Sequence, residues 1–195
     1  MNRPELLLSI DAGTQSVRVL VFDKFGSLID MAKVVHSPPY LSPELGWAEQ
    51  SPDYYWSSLC DAFRKLWKGG KVRPEDISGI SLTSQRGTVV NLDKDGIPLR
   101  DAIVWLDQRR ASRLPKIGPG WKSVFKASRL WKTIRYFQAE AECNWIAQHQ
   151  PEVWKQTRHY LLLSGYLNYR LTGQFKDSTA CQVGYISFDF KLHRW

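Results

Sequence analysis

The chain begins with apolar runs that short polar segments separate. Leu6–Ile10 and Val17–Asp23 are rich in aliphatic and β-branched residues, and Ser27–His36 follows directly after a turn at residues 23–26. Runs of this length, bounded by turn residues, are typical of β-strands. Because the connections are too short to cross over a sheet, we predict that these three strands form an antiparallel meander.

Further along, the pattern alternates between helices and strands. A loop containing Pro and Gly, residues 37–50, precedes a helix that we expect to begin at Ser51-Pro52 and to end at Gly69-Gly70. We then predict strands at 77–83, 88–92 and 160–163, and helices at 131–149, 151–156 and 165–171. Residues 116–130 favour no element, and residues 185–195 favour a strand and a loop. This order predicts an α/β domain with a mixed sheet flanked by helices.

Composition narrows the class of protein. The 195 residues are 43% hydrophobic and 24% charged, which is ordinary for a globular domain. The apolar runs are too short to span a membrane and the N-terminus lacks a signal-peptide pattern, so we expect no membrane partner. Cys60, Cys143 and Cys181 are too widely spaced for a disulfide framework or a zinc site. We therefore expect the reducing environment of the cytoplasm.

The formal net charge of +8 raises the question of an anionic partner. Lys and Arg are scattered in brief clusters rather than collected in a basic tail, so we do not expect nucleic-acid binding. A nucleotide, or an acidic domain packed against this one, accounts for the charge equally well.

The polar insert between the first two strands combines residue types that suit a metal-bound phosphate. Gly13 allows a tight turn and a close approach, and Asp11 needs a hard cation such as Mg²⁺ between itself and a phosphate. Side-chain donors follow at Thr14, Gln15, Ser16 and Arg18. The insert lacks the Lys-Ser/Thr pair and the following helix of a Walker loop. Taken alone, Asp11 and Gly13 could equally well serve only the turn.

A second group of polar residues follows later strands. Gln85 and Arg86 lie just past the predicted strand 77–83, where α/β sheets place ligand groups. Trp105, Asp107 and Arg109 follow another apolar run. An aromatic face beside amide and charged groups is typical of sites for polyhydroxylated ligands. The alternatives are a core tryptophan at 105 and a surface ion pair between Asp107 and Arg109.

Four segments of the chain resemble the FGGY family of carbohydrate kinases, in the family's order. They are IDAGTQSVRVLVFDKFG, GWAEQSPDYYWSSL, SQRGTVVNLDKDGIPLRDAIVWLDQR, and LLLSGYLNYRLTGQF with YISFDFKLHRW. The first is similar to the family's phosphate hairpin and the third to its sugar-contacting segment. Each motif is weak alone, but together the four cover nearly the whole chain.

The resemblance implies an actin-like ATPase, ribonuclease H-like fold with ATP and Mg²⁺ in a cleft between two domains. It implies that Asp11 positions the metal and that the phosphates contact Gly13, Thr14, Gln15, Ser16 and Arg18. It matches Arg86 to an arginine that contacts substrate hydroxyls and Trp105 to a substrate-side tryptophan. With Gln85, Asp107 and Arg109 from the residue pattern, these are the candidate substrate-binding residues. Gly87 stands where glycerol kinases of the family have a substrate-binding glutamate, and xylulokinases have Met-His in place of Arg86 and Gly87. The sugar or polyol therefore stays open.

The resemblance also implies that residues 1–195 are part of the N-terminal, sugar-binding domain of such a kinase. The catalytic base and the adenosine-binding C-terminal domain would then lie beyond Trp195, so we expect no kinase activity from these residues alone. Association into a homodimer is left open. Two other classes also stay open: a nucleic-acid enzyme on the same ribonuclease H-like fold, which Asp11 and a pI of about 9.5 favour, and a non-catalytic actin-like ATP-binding module.

Overall fold

The structure is a computed structural model that describes residues 5–181 and Leu192. The strand and loop predicted for residues 185–195 lie, apart from Leu192, outside the described residues. Two four-stranded sheets and six α-helices make up the described part of the chain.

The first sheet contains the predicted meander. Its strands are β1 (Leu6–Ala12), β2 (Ser16–Phe22), β3 (Leu28–Val35) and β5 (Ile77–Ser84), in the order β3-β2-β1-β5. β1 and β2 pair antiparallel, as do β2 and β3, whereas β5 lies parallel to β1. The sheet is therefore mixed, and the meander is confirmed. Side chains alternate along β1, where Leu8 and Ile10 are buried and Leu7 is exposed.

The second sheet has shorter strands and is antiparallel throughout. Its strands are β4 (Glu49–Gln50), β6 (Val89–Leu92), β7 (Ala102–Ile103) and β8 (His159–Leu162), in the order β4-β7-β6-β8. The chain passes from β5 into β6 through Gly87, whose φ of 71° is readily adopted by glycine alone. The ends of the two sheets therefore meet at residues 85–88.

The helices enclose two hydrophobic cores. They are α1 (Pro52–Lys68), α2 (Pro119–Ala127), α3 (Trp131–Glu140), α4 (Glu142–His149), α5 (Pro151–Gln156) and α6 (Leu163–Thr172), with 3₁₀ turns at Pro74–Asp76 and Thr179–Cys181. α1 and α6 pack on the first sheet through Leu59, Leu66 and Tyr166. Trp145 and Ile146 of α4 form the second core with Val89 and Ile103 of the second sheet.

The helix predicted for 131–149 is interrupted at Ala141, whose ψ of 111° is extended. A tertiary contact explains the break, because the carbonyl oxygen of Ala139 accepts a hydrogen bond from the backbone N–H of Ala111 at 3.0 Å. In an uninterrupted helix that oxygen would bond the N–H of residue 143. Residues 116–130, which favoured no element, contain α2, none of whose side chains is buried.

Two sequence expectations concern membranes and cysteines. Within residues 5–181 no helix combines the length and the hydropathy needed to cross a bilayer. Cys60, Cys143 and Cys181 are unpaired.

Candidate active site

The loop between β1 and β2 presents free backbone donors. The N–H of Gly13 closes the turn on the oxygen of Ser16 at 3.0 Å, but neither Thr14 nor Gln15 donates its backbone N–H to an acceptor among the described residues. The turn itself does not require glycine, because the φ of Gly13 is not left-handed and an added Cβ would meet only Ser16 O at 3.4 Å. What glycine provides here is clearance above the two free amides.

Charged side chains lie in a row across the three strands below this loop. Asp11 of β1 is the register partner of Arg18 of β2, which in turn faces Lys33 of β3. Arg18 Nη1 donates to Asp11 Oδ2 at 2.7 Å, and the two side chains are 41% and 38% exposed. An exposed ion pair of this kind is weak, so its partners can exchange it for a ligand at little cost. Two cations against one carboxylate favour an anion.

Asp11 fits a magnesium ion only as one ligand among several. In the described part of the chain no three His, Cys, Asp or Glu side chains are grouped closely enough to hold a metal. Mg²⁺ commonly keeps several waters and binds through one or two carboxylates together with substrate phosphates. A single carboxylate beside a phosphate-binding loop matches that chemistry, whereas it could not hold the ion alone.

The structure brings the sequence's two polar groups together. The hydroxyl of Thr14 donates to Gln85 Oε1 and accepts from Trp105 Nε1 at 2.9 Å. The Gln85 amide group also donates through Nε2 to the hydroxyl of Tyr55 at 3.0 Å, and its backbone N–H bonds Ala12 O at 2.9 Å. Hydrogen bonds therefore join the loop at residues 13–16 to Gln85 and Trp105 in one unit.

An open cavity of about 570 Å³ lies over this unit. Its walls include the 13–16 loop, the Asp11–Arg18 pair, Tyr40 and Trp105. Trp105 is 54% exposed, so it is a wall residue rather than a core residue. A second cavity of about 510 Å³ begins at the same tryptophan and extends to Gln108, Arg110 and Glu140.

The predicted phosphate residues differ in exposure. Gln15 is exposed, Gly13 and Thr14 are partly exposed, and Ser16 is 5% exposed although it borders the cavity. Among the predicted substrate residues, Arg86 is exposed, does not border either cavity, and has no hydrogen-bond or ion-pair partner among the described residues. Burial raises the pKa of the Cys181 thiol, a hydrogen bond with Ser164 opposes that rise, and the charge of Arg86 opposes it more weakly.

Asp107 and Arg109 lie in a buried ionic cluster, and of the two only Asp107 borders the second cavity. Both side chains are only 3% exposed and pair at 2.6 Å, and Arg109 also pairs with Glu49 at 2.9 Å. Asp107 Oδ2 accepts the backbone N–H of Ala48 at 2.7 Å. Protein partners thus engage these charged groups, and their direct contact with a substrate stays a prediction. The alternative of a surface ion pair is wrong, since the pair is buried.

Four residues in or around this cluster were not identified from the sequence: Glu49, Arg100, Trp47 and Trp145. Glu49 also pairs with Arg100, whose side chain is 7% exposed, and burial lowers the pKa of Arg100 although Glu49 opposes that effect. The guanidinium of Arg109 lies 3.9 Å from the ring centre of Trp47 and 4.6 Å from that of Trp145. The cluster fixes the loop that carries Trp105 against β4 and α4.

Tyr55 and His36 support the loop from below. Tyr55 is 2% exposed, and burial raises its pKa to about 12, so its hydroxyl keeps its proton at any physiological pH. His36 is 3% exposed, its Nδ1 lies 3.1 Å from Thr14 O, and its pKa is lowered by burial. Nothing in the sequence distinguished these two side chains from ordinary core residues.

Backbone amides that are free among the described residues, a lone carboxylate flanked by cations and an exposed tryptophan thus border one open cavity. Residues 6–192 match the model of the N-terminal domain of the FGGY family of carbohydrate kinases. The chain belongs to this family.

Individual relatives agree with the family match. The chain is 31% identical over 193 residues to a glycerol kinase of Thermococcus gammatolerans, covering 97% of this chain and 38% of that protein. It is 27% identical to a xylulose kinase of Staphylococcus epidermidis, covering 98% of this chain and 37% of that protein. The chain thus spans less than two fifths of the relatives it matches.

Solved structures show the same fold. A xylulose kinase from Rhodospirillum rubrum superposes with a TM-score of 0.67 at 23% identity, covering 87% of this chain and 34% of that one. A Plasmodium falciparum glycerol kinase with ADP superposes with a TM-score of 0.62 at 25% identity, covering 87% and 35%. The predicted actin-like ATPase fold is confirmed.

Proposed function

We propose that this chain forms the acceptor-binding half of a kinase that transfers the γ-phosphoryl group of ATP to a hydroxyl of a sugar or polyol. The strongest support is the hydroxyl of Thr14, which joins the loop at residues 13–16, in the wall of the first cavity, to the exposed ring of Trp105. A phosphate donor and a hydroxyl acceptor bound on either side of that contact would be neighbours. The similar Plasmodium falciparum glycerol kinase was solved with ADP, which supports a nucleotide as the donor.

The roles follow from the chemistry of each group. The loop residues Gly13, Thr14, Gln15 and Ser16 bind the transferred phosphate, largely through backbone amides, and Arg18 neutralises its charge. Asp11 would hold Mg²⁺ through its carboxylate, and the ion would neutralise charge that develops on the phosphoryl oxygens. Trp105 covers the C–H face of the acceptor, while Gln85 and Arg86 bond its hydroxyls. Asp107 and Arg109 hold the Trp105 loop in place.

Positioning and charge stabilisation supply most of the catalysis in this reaction class, because the protein takes little part in the covalent chemistry of phosphoryl transfer. The base that accepts the proton of the acceptor hydroxyl, and the domain that binds adenosine, would come from the part of the relatives that this chain does not span. We accordingly propose that residues 1–195 alone do not turn over substrate. Location in the cytoplasm stays a prediction, and assembly as a homodimer stays open.

The test is acceptor-dependent release of ADP by the longest natural polypeptide that carries these residues, with a panel of trioses, pentoses, hexoses and their polyols. Phosphorylation of at least one member supports the proposal. Failure with every member, together with Mg²⁺-dependent cleavage of a nucleic acid, would instead establish the nuclease class. Nucleotide binding without acceptor turnover would indicate the non-catalytic module.

A variant of Asp11 tests the metal role separately. Asp11→Asn removes the carboxylate charge but keeps the size of the side chain, so we expect a higher Mg²⁺ concentration for half-maximal rate. Asp23→Asn is a matched control, because Asp23 lies at the far end of β2, where it accepts backbone N–H groups of its own turn. An unchanged Mg²⁺ requirement in Asp11→Asn would contradict the role.

A further inference from the structure

A hydrogen-bonded network of four side chains extends from the core to the cavity wall. It begins at Tyr55 in α1, which is 2% exposed, and ends at Trp105, which is 54% exposed. The intermediate members are Gln85 and Thr14, and the contacts are Gln85 Nε2 to Tyr55 Oη at 3.0 Å, Thr14 Oγ1 to Gln85 Oε1, and Trp105 Nε1 to Thr14 Oγ1 at 2.9 Å. The network connects four segments that are distant in sequence.

Counting protons fixes the direction of the bond between Trp105 and Thr14, and the orientation of the Gln85 amide gives the direction of the bond between Thr14 and Gln85. An indole N–H can only donate, so the hydroxyl oxygen of Thr14 must accept from Trp105. A threonine hydroxyl has a single proton, and here that proton is given to the amide oxygen of Gln85. Phosphate oxygens are acceptors, so Thr14 has no proton left to offer them. Its side chain is committed to the acceptor side of the site.

Tyr55, at the buried end of the network, keeps this arrangement in place. The amide group of Gln85 presents its oxygen to Thr14 and its nitrogen to the hydroxyl of Tyr55. Tyr55 is buried among core residues and cannot easily move. Without that hydroxyl, the Gln85 amide would lose the contact that holds its orientation, and the bond to Thr14 would weaken.

We propose that the Thr14 hydroxyl positions Trp105 for the acceptor instead of binding phosphate, and that Tyr55 is a second positioning residue acting through Gln85. The phosphate is then held by the backbone N–H groups of Thr14 and Gln15, which are free among the described residues. This inference rests on the proposed kinase function for its consequence, but the side-chain network can be measured without it.

The first experiment measures the network in the 195-residue chain by ¹⁵N NMR of the tryptophan indoles, with Trp105→Phe to assign the Trp105 signal. Thr14→Val keeps the shape of the side chain and removes the hydroxyl, so the Trp105 indole N–H should shift and exchange with water roughly tenfold faster, as expected for one lost hydrogen bond. Thr14→Ser should restore the parent signal. Tyr55→Phe should shift the same signal in the same direction, by less.

Tyr54→Phe is the matched control for Tyr55→Phe. Tyr54 is the neighbour on α1, and its hydroxyl accepts the backbone N–H of Ser37 at 2.8 Å, outside the network. It should leave the Trp105 indole unchanged. A Trp105 signal that is the same in parent, Thr14→Val and Tyr55→Phe would overturn the proposal.

The second experiment separates the two substrates in the longest natural polypeptide. Thr14→Val should raise the KM for the acceptor about three- to tenfold, the range expected when one solvent-accessible hydrogen bond is lost, with the KM for ATP within about twofold of the parent. The reverse pattern would make the hydroxyl a phosphate ligand and overturn the proposal. If the parent polypeptide phosphorylates no acceptor, the proposed function fails, while the indole measurement still decides the network.

Discussion

Removing the charge of Glu49 should destabilise the fold more than any change at an exposed ion pair. The Glu49 carboxylate, 11% exposed, lies between Arg100 and Arg109. Arg109 also forms an ion pair with Asp107. Arg100, in contrast, pairs with no acid other than Glu49 among the described residues. Arg100 Nε and Nη1 already lack hydrogen-bond partners within the described part of the chain. Glu49→Gln therefore leaves a buried guanidinium without a counter-charge.

The structure sets the size of this effect. Arg100 is 7% exposed, so water cannot replace the lost carboxylate. Breaking a buried ion pair by removing one partner costs about 3–5 kcal/mol of unfolding free energy. Domains of this size are stable by about 5–15 kcal/mol, so the variant should lose a large part of its stability.

Urea unfolding followed by tryptophan fluorescence measures the effect. Asp61→Asn is the control, because Asp61 pairs with Arg64 at 2.6 Å while the two side chains are 54% and 74% exposed, and it should cost about 1 kcal/mol or less. If Glu49→Gln does not fold, adding Arg100→Met should restore folding by removing the orphaned charge. A cost for Glu49→Gln as small as the control's, or no rescue, would refute the reasoning.

Two further predictions concern stability. Gly96 and Gly26 end similar turns at φ of 79° and 83°, but an added Cβ at Gly96 would clash with the ring and hydroxyl of Tyr169, whereas one at Gly26 would have no atom within 4 Å. Gly26→Ala should cost about 1–2 kcal/mol and Gly96→Ala about 1–3 kcal/mol more, and equal costs in urea unfolding would contradict the clash. Burial lowers the pKa of His36 below its ordinary value of 6.5, so on acidification this imidazole is protonated in the unfolded chain before it is in the folded one. The free energy of unfolding should therefore fall as the pH drops below 6.5, by at most about 1.4 kcal/mol per pH unit. His36→Gln should remove this component, and an identical pH dependence in parent and variant would show that His36 does not cause it.

The parts of the fold that the sequence predicted are those with local signals. The meander has alternating apolar positions and short turns, and α1 begins at Pro52 and stops at Gly69, which the pattern indicated. The two-residue strands β4 and β7 are too short to show a period, so their sheet was not foreseen. The break at Ala141 depends on the amide of Ala111, a partner that no local pattern shows.

The candidate site divides in the same way. Its loop and Trp105 could be found because a carboxylate, a glycine and several side-chain donors in one insert exceed what a turn needs, and because a tryptophan stands beside amide and charged groups. The structure brings the loop and Trp105 together. The burial of Asp107 and Arg109 could not be predicted, because it depends on Glu49 and on two tryptophans distant in sequence. Tyr55 occupies an apolar helix face, where a tyrosine that positions a ligand group looks the same as one that only packs.

The central claim is that the 13–15 loop holds the phosphates of a nucleotide while Trp105 covers the acceptor. A crystal structure of the longest natural polypeptide with Mg²⁺, a non-hydrolysable ATP analogue and a phosphorylatable acceptor tests it most directly. We expect phosphate oxygens about 3 Å from the backbone nitrogens of Thr14 and Gln15, and the acceptor in contact with Trp105. Phosphates bound elsewhere, with those two amides facing protein or solvent, would contradict the account.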